Sequence, residues 1–241
     1  MTAVIFPTSG PLIRCGLRWF GQVRRHGVAR GAYSVARKLA LLPGANTWAW
    51  ICGSDVLRQR LSQWSVKGRV PRGMRVQQAH AQDLAEVAQF FGSQQRVKDR
   101  YDQGHRCFVA SSQAGIGAGV WLALGPNAYA EDLNDLRCLC RFPAGVGWLF
   151  DGKGKKLGAW GSLMARLPDL LGELGIEEVF ALIEWNNWRS LDSHRSLGYQ
   201  NVGHIACVSL RPFLWRGYAA PRQPWRPLPG SLGKLEIVLP S

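Results

Sequence analysis

The sequence predicts a mixed α/β domain, one central sheet flanked by helices, preceded by a basic N-terminal extension. Three observations lead there. Beyond residue 73 the apolar pattern alternates between periods of two and of about 3.6, in the order strand, helices, antiparallel strands, helix, strand, helix, strand. Charge is unevenly divided: residues 1–72 hold 12 Lys and Arg against Asp55 alone, net +11, whereas residues 73–241 hold 18 against 15, net +3. The break falls on the turn-forming stretch Lys67-Gly68-Arg69-Val70-Pro71-Arg72-Gly73. The expected organisation is therefore an extension over 1–72, a domain over 73–211 and a Pro-rich tail over 212–241.

In the extension, Leu12 to Leu42 reads as helix, with Ile13, Leu17, Phe20, Val28, Val35, Leu39 and Leu42 apolar between arginines. Gly16, Gly21, Gly27 and Gly31 each weaken it by about 1 kcal/mol relative to Ala. Thr47 to Ile51 reads as a short strand, and Trp64 as an apolar anchor. The domain opens with a strand through Arg75, Val76 and Gln77. A helix follows from the cap-like Asp83, with Leu84, Val87, Ala88 and Phe91 on one face, stopped by Gly92. Gln94 to Gln103 is polar and helical. Arg106 to Ala110 and Gly117 to Leu124 form a hairpin about the turn at Gln113 to Gly115. Pro143-Ala144-Gly145 separates two further strands, Leu136 to Phe142 and Val146 to Phe150. A helix over Ala159 to Leu174 contains Pro168, which favours a kink. Glu178 to Glu184 reads as a buried strand, Ser190 to Leu197 as a short helix stopped by Gly198, and His204 to Leu210 as the last strand. The tail shows no periodicity.

Composition narrows the classes. With 241 residues, 46% hydrophobic and 19% charged, the chain has material for an ordinary core and resembles neither a disordered chain nor a coiled coil. No run of about 18 apolar residues is free of charge, and residues 1–11 lack the basic start and cleavage site of a secretory signal, so a cytoplasmic protein is expected. Six scattered cysteines make free thiols the default. Cys138 and Cys140 share one strand face, yet a metal site would need two further ligands, so no metal is expected. The net charge of +14 favours anionic partners, and residues 1–72 are expected to offer a docking surface for nucleic acid or an anionic membrane.

Two motifs carry chemistry. Phe150 to Leu163, containing Asp151-Gly152-Lys153-Gly154-Lys155-Lys156-Leu157-Gly158-Ala159-Trp160-Gly161, reads as strand end, Gly- and Lys-rich loop and helix start. Exposed amides and the positive end of a helix dipole suit a phosphate there. It is neither a Walker loop nor a dinucleotide fingerprint. Asn187-Trp188-Arg189-Ser190 follows the strand that ends at Glu184, with His194 seven residues after Asn187 and Leu197-Gly198-Tyr199 beyond it.

Together these motifs resemble the GNAT acyltransferase superfamily over about residues 75–210. There a basic-x-x-Gly-x-Gly/Ala loop opens a helix, and a later strand is followed by Asn-x-x-Ser/Ala, an aromatic and Leu-Gly-Phe/Tyr. Lys155 and Gly158 match the loop, while Trp160 replaces the usual small residue, with Gly161 just after it. The resemblance implies a GNAT-like sheet and an N-acyltransferase using acetyl-CoA or another acyl-CoA. It implies that amides around Lys156, Leu157, Gly158, Ala159, Trp160 and Gly161 hold a pyrophosphate, that Asn187 and Ser190 line the pantetheine channel, and that His194 stands where the family commonly has a general-acid Tyr. The acceptor would be a small-molecule or peptide amine.

Acyl transfer needs a neutral amine, a donor for the oxyanion and a proton for the leaving thiolate. His194 could supply that proton or act as base, and Asp151 and Glu184, both at strand ends, are candidate bases acting through water. Trp121, Trp148, Trp160, Trp185 and Trp188 fit a core or an aromatic acceptor cleft. A second function class stays open: a non-catalytic GNAT-like protein whose Trp160 closes the loop and whose extension docks on an anionic surface.

Overall fold

The structure is a computed structural model, and it describes residues 49–64, 70–126, 128–133, 136–210, 213–219, 226–227 and 234–238. The expected helix over 12–42 lies outside them, as does most of the 1–72 extension expected to dock on an anionic surface. The elements, in order, are β1 (Ala49–Arg60), β2 (Arg75–Ala79), α1 (Leu84–Phe91), α2 (Gln94–Asp102), β3 (Arg106–Ser112), β4 (Gly115–Leu124), β5 (Ala128–Leu133), β6 (Leu136–Arg141) and β7 (Val146–Gly154). They continue with α3 (Ala159–Glu173), β8 (Glu178–Glu184), α4 (Trp188–Ser196), β9 (Gln200–Leu210), β10 (Phe213–Ala219), β11 (Arg226–Pro227) and β12 (Lys234–Val238).

Among the described residues, one sheet runs β11-β10-β9-β1-β8-β7-β4-β3-β2, and a second runs β12-β6-β5. Every neighbouring pair in the large sheet is antiparallel except β7 and β8. A parallel pair needs a crossover, which α3 supplies by returning the chain over one face. The pattern places α1 and α2 on one face, through Val87, Phe90, Phe91 and Val97 against Trp121, Trp148 and Phe180. The other face takes α3 and α4, through Leu163, Leu167, Leu171 and Leu191 against Leu57, Leu122 and Val179. The fold is the mixed α/β sheet flanked by helices that the sequence predicts. No described helix is long and apolar enough to cross a membrane.

The boundary expected at residue 72 is corrected by β1. Rather than a short strand over Thr47 to Ile51, a 12-residue strand sits in the middle of the sheet, between β8 and β9. Val56, Leu57 and Asp55 are fully buried there. The reason is topological: β8 and β9 are consecutive in sequence, yet α4 returns the chain far enough away to leave a strand-wide gap, and β1 fills it. The Pro-rich tail, which shows no periodicity in sequence, contains β10, β11 and β12, with β12 pairing in parallel with β6.

A chain starting at Gly73 lacks this central strand and is expected to lose cooperative unfolding. In the full chain, Leu57→Ala should lower the unfolding free energy by about 2–5 kcal/mol, measured by urea denaturation.

Candidate functional site

The site begins with a fault in β7. Trp121 pairs with Phe150 and Gly119 with Lys153, so Asp151 and Gly152 together oppose Val120. Asp151 adopts φ +48°, a left-handed conformation that a residue other than glycine enters at a cost. The extra residue is a β-bulge, which bends its strand and re-aims side chains. Its consequence is visible on the other side of β7. The parallel ladder with β8 runs only from Val146–Glu178 to Leu149–Ala181, although both strands continue beyond it. Past that point the two strands splay apart.

Arg100 of α2 pins the bulge. Its guanidinium donates to Asp151 Oδ2 at 2.8 Å and lies 5.1 Å from the ring centres of both Trp121 and Phe150. The side chain is mostly buried, so the ion pair and the ring contacts act at reduced screening. The sequence-predicted base Asp151 is thus a structural anion held by a cation. His105 packs edge-on to Phe150, and burial, followed by the nearby Arg100 charge, lowers its pKa to about 4.

The Gly- and Lys-rich segment divides into parts with different duties. Gly152 and Gly154 belong to β7, and a Cβ on Gly152 would stand 2.8 Å from the Trp160 ring. Trp160 therefore folds back against β7 rather than over the helix start. Lys155 Nζ donates to the Phe90 carbonyl at 2.9 Å and Lys156 Nζ to the Ala114 carbonyl at 2.6 Å. The Lys156 amide donates to the Gly117 carbonyl and the Ala159 amide to the Lys156 carbonyl. Leu157 is fully exposed, and Gly158 caps α3 at φ +77°, where glycine is unstrained. The first bond of the α3 ladder runs from the Ser162 amide to the Gly158 carbonyl. The amides of Trp160 and Gly161, in the turn before it, have no partner within the helix and stand at the positive end of its dipole.

The start of α4 supplies the opposite wall. Asn187 Oδ1 accepts from the Ser190 amide, capping the helix. His194, 8% exposed, donates from Nδ1 to the Ser190 carbonyl at 2.7 Å, with Ser190 Oγ 3.3 Å from the same nitrogen and Tyr199 edge-on at 4.8 Å. Burial lowers the His194 pKa, which holds the imidazole neutral with Nε2 unprotonated.

These elements enclose a pocket of about 190 Å³. Phe150, Asp151 and Gly152 form one side and Ala181, Leu182 and Ile183 the other. Trp160 and Met164 of α3 and Asn187, Ser190 and His194 of α4 complete it. The fold thus brings together Asp151, Trp160, Asn187, Ser190 and His194 from the sequence-predicted set. Glu184 ends β8 outside that lining; by strand alternation it lies with Leu182 on the α1–α2 face. Trp121 and Trp148 are core residues. Among the described residues no group of three His, Cys, Asp or Glu side chains could hold a metal, and Cys140 is a buried free thiol. The side chain of Cys138 lies outside the described residues. Sequence reasoning missed Arg100, because nothing in an exposed-looking polar helix announces a guanidinium lying over two rings.

No family model matches this sequence, and no curated protein does. Solved structures of similar fold include a conserved protein of unknown function from Staphylococcus epidermidis, at 9% identity over 73% of this chain and 66% of that one, with a TM-score of 0.48. A GCN5-related N-acetyltransferase from Kribbella flavida is 11% identical over 70% and 62% of the two chains, TM-score 0.42. A tandem GNAT protein from the clavulanic acid biosynthesis pathway is 14% identical over 83% and 72%, TM-score 0.46. This chain spans less than two thirds of the length of the first two. No residue role follows from these likenesses.

His105 generates a pH prediction. Its folded pKa is depressed from 6.5 to about 4, so its contribution to stability is present above about 6.5 and is lost as the pH falls toward 4. Buried His194 acts in the same direction. His105→Phe, which keeps a ring against Phe150, should flatten the fall of the urea midpoint between pH 6.5 and 5 relative to the unaltered chain.

Proposed function

We propose that this chain is an N-acyltransferase that moves an acyl group from acyl-CoA, with acetyl-CoA the simplest donor, directly to an amine acceptor. The observation that carries the proposal is the splay of β7 from β8, opened by the Asp151–Gly152 bulge and flanked by the starts of α3 and α4. Where the ladder stops, main-chain groups of both strands facing the gap lose their strand partners. A linear arm carrying amides satisfies such edges as an added strand would. At about 190 Å³ the pocket is below the roughly 300–1,000 Å³ usual for a drug-sized ligand, so it suits a thin arm with the remainder of the molecule outside.

The coenzyme supplies an activated thioester. The residues of the chain supply the rest. Amides of Leu157, Gly158, Trp160 and Gly161 offer donors to a pyrophosphate at the α3 dipole, and Lys153, Lys155 and Lys156 add positive charge beside them. Trp160, packed on Gly152, forms the side of the arm's channel and leaves the helix start open, which supports the enzymatic reading over the non-catalytic one. Asn187 and Ser190 line the same channel. His194 is suited to relay a proton: its neutral Nε2 takes the proton that the nitrogen sheds once the C–N bond has formed, and passes it to the departing sulfur. Of the two roles the sequence leaves open for His194, proton donor or base, burial favours starting as the base, because it disfavours the imidazolium.

Calorimetric titration with acetyl-CoA tests the proposal. Binding should also raise the melting temperature, with stabilisation of about 2.7 kcal/mol at 100 times the dissociation constant. Gly152→Val, which drives a side chain into Trp160, should abolish that response. Gly172→Ala, at an open helical position, should keep it. Melting unmoved by millimolar coenzyme A in the unaltered chain would exclude the proposal. His194→Phe should lower turnover about 100-fold while leaving coenzyme affinity within a few fold.

A further inference from the structure

A carboxylate with 0% exposure stands in the centre of the sheet, and neither the pocket nor the proton transfer at His194 uses it. Asp55 Oδ1 accepts from Trp185 Nε1 at 2.7 Å and from His204 Nδ1 at 2.8 Å. Burying a carboxylate is costly unless hydrogen bonds and an opposite charge compensate it. The surrounding chain is shaped for this arrangement. The Trp185 amide donates to the Gly53 carbonyl, and a Cβ on Gly53 would lie 2.4 Å from the Trp185 ring, so only glycine lets the indole lie over β1 and reach Asp55. The same indole meets His204 edge-on, with ring centres 6.2 Å apart.

The trio is aligned with the pocket. Asp55 lies directly opposite Ile183 in β8 and directly opposite His204 in β9, so the three form one row on one face of the sheet. Leu57 and Ile183 identify that face as the one carrying α3 and α4. Ile183 lines the pocket, and two strand spacings of about 4.8 Å put the His204 backbone about 10 Å from it. The His204 side chain is 32% exposed, and its Nδ1 is committed to the buried Asp55.

We propose that His204, held and polarised by Asp55, takes the proton that an acceptor ammonium must lose before it can attack the thioester. The proposal rests on the acyl-transfer reading above and assigns its missing base. Asp151 is paired with Arg100, Glu184 lies toward the other face, and His194 handles the proton bound for sulfur. An alkylamine arrives as ammonium at neutral pH. One proton passes through a water to His204 Nε2, and the Asp55 carboxylate stabilises the imidazolium so formed, as an aspartate does for histidine in hydrolase triads. The neutral amine then forms the C–N bond, the C–S bond breaks, the second proton goes from nitrogen to sulfur, and the proton on His204 leaves to solvent. His204 is the base and Asp55 its positioning residue.

Two generic acceptors separate base catalysis from structural support: n-butylamine, cationic at pH 7, and hydroxylamine, neutral there. Transfer from acetyl-CoA is followed by thiol release, and folding by the coenzyme-induced melting shift. His204→Gln should lower kcat/KM about 100-fold for butylamine at pH 7 but by less than about threefold for hydroxylamine, with the melting shift kept. In His204→Ala, added imidazole should restore butylamine transfer. Asp55→Asn should weaken butylamine transfer far more than hydroxylamine transfer, because the ring loses the carboxylate that orients it. Equal losses with both acceptors, or none with either, would overturn the assignment. An unaltered chain that neither binds acetyl-CoA nor releases thiol overturns the acyl-transfer reading and this assignment with it.

Discussion

The early end of the β7–β8 ladder is the constraint on which the rest of the site depends. Two parallel strands that stay paired present no cavity, since their edges satisfy each other. One extra residue in β7 at Asp151–Gly152, in a conformation costly for Asp151, bends the strand away after Leu149–Ala181. That cost is met from outside the sheet, by Arg100 lying over Trp121 and Phe150 and paired with Asp151. Local strain, a mostly buried cation and an open pocket are parts of one arrangement.

A second dependency runs through β1. The strand fills the gap between β8 and β9, and its Asp55 ties together the turn after β8 and the middle of β9. The turn held this way leads into α4, whose cap at Asn187 sets the direction of Ser190 and His194. A segment more than 100 residues away in sequence thus supports one wall of the pocket. The glycines divide between such duties. Gly53 and Gly152 are small because an indole lies on each, and Gly158 is glycine because its backbone is left-handed at the start of α3.

Legibility in the sequence followed the range of the interactions. Helices α1, α3 and α4 and strands β3, β4 and β8 were readable because their apolar spacing and capping residues act within a few positions. The extent of β1 was not, since Ser54, Asp55 and Gln59 are polar residues that only pairing on both sides could bury. The charge step at residue 72 pointed to the wrong boundary for a related reason: surface charge records solvent contact and says nothing of which strand completes a sheet. Asp55 was nonetheless visible as the single acid in a strongly basic stretch.

By itself the sequence determined the alternation of strands and helices, the Gly- and Lys-rich start of α3, and the Asn187–Ser190–His194 spacing, because each is written in short-range geometry. Tertiary structure alone decided what those groups can do. It turned Trp160 onto β7, gave Asp151 to Arg100, buried His194 in its neutral form, and set Asp55 against His204 across 149 positions of sequence. Charge state and proton affinity depend on burial and on the nearest charges in space, and sequence spacing specifies neither.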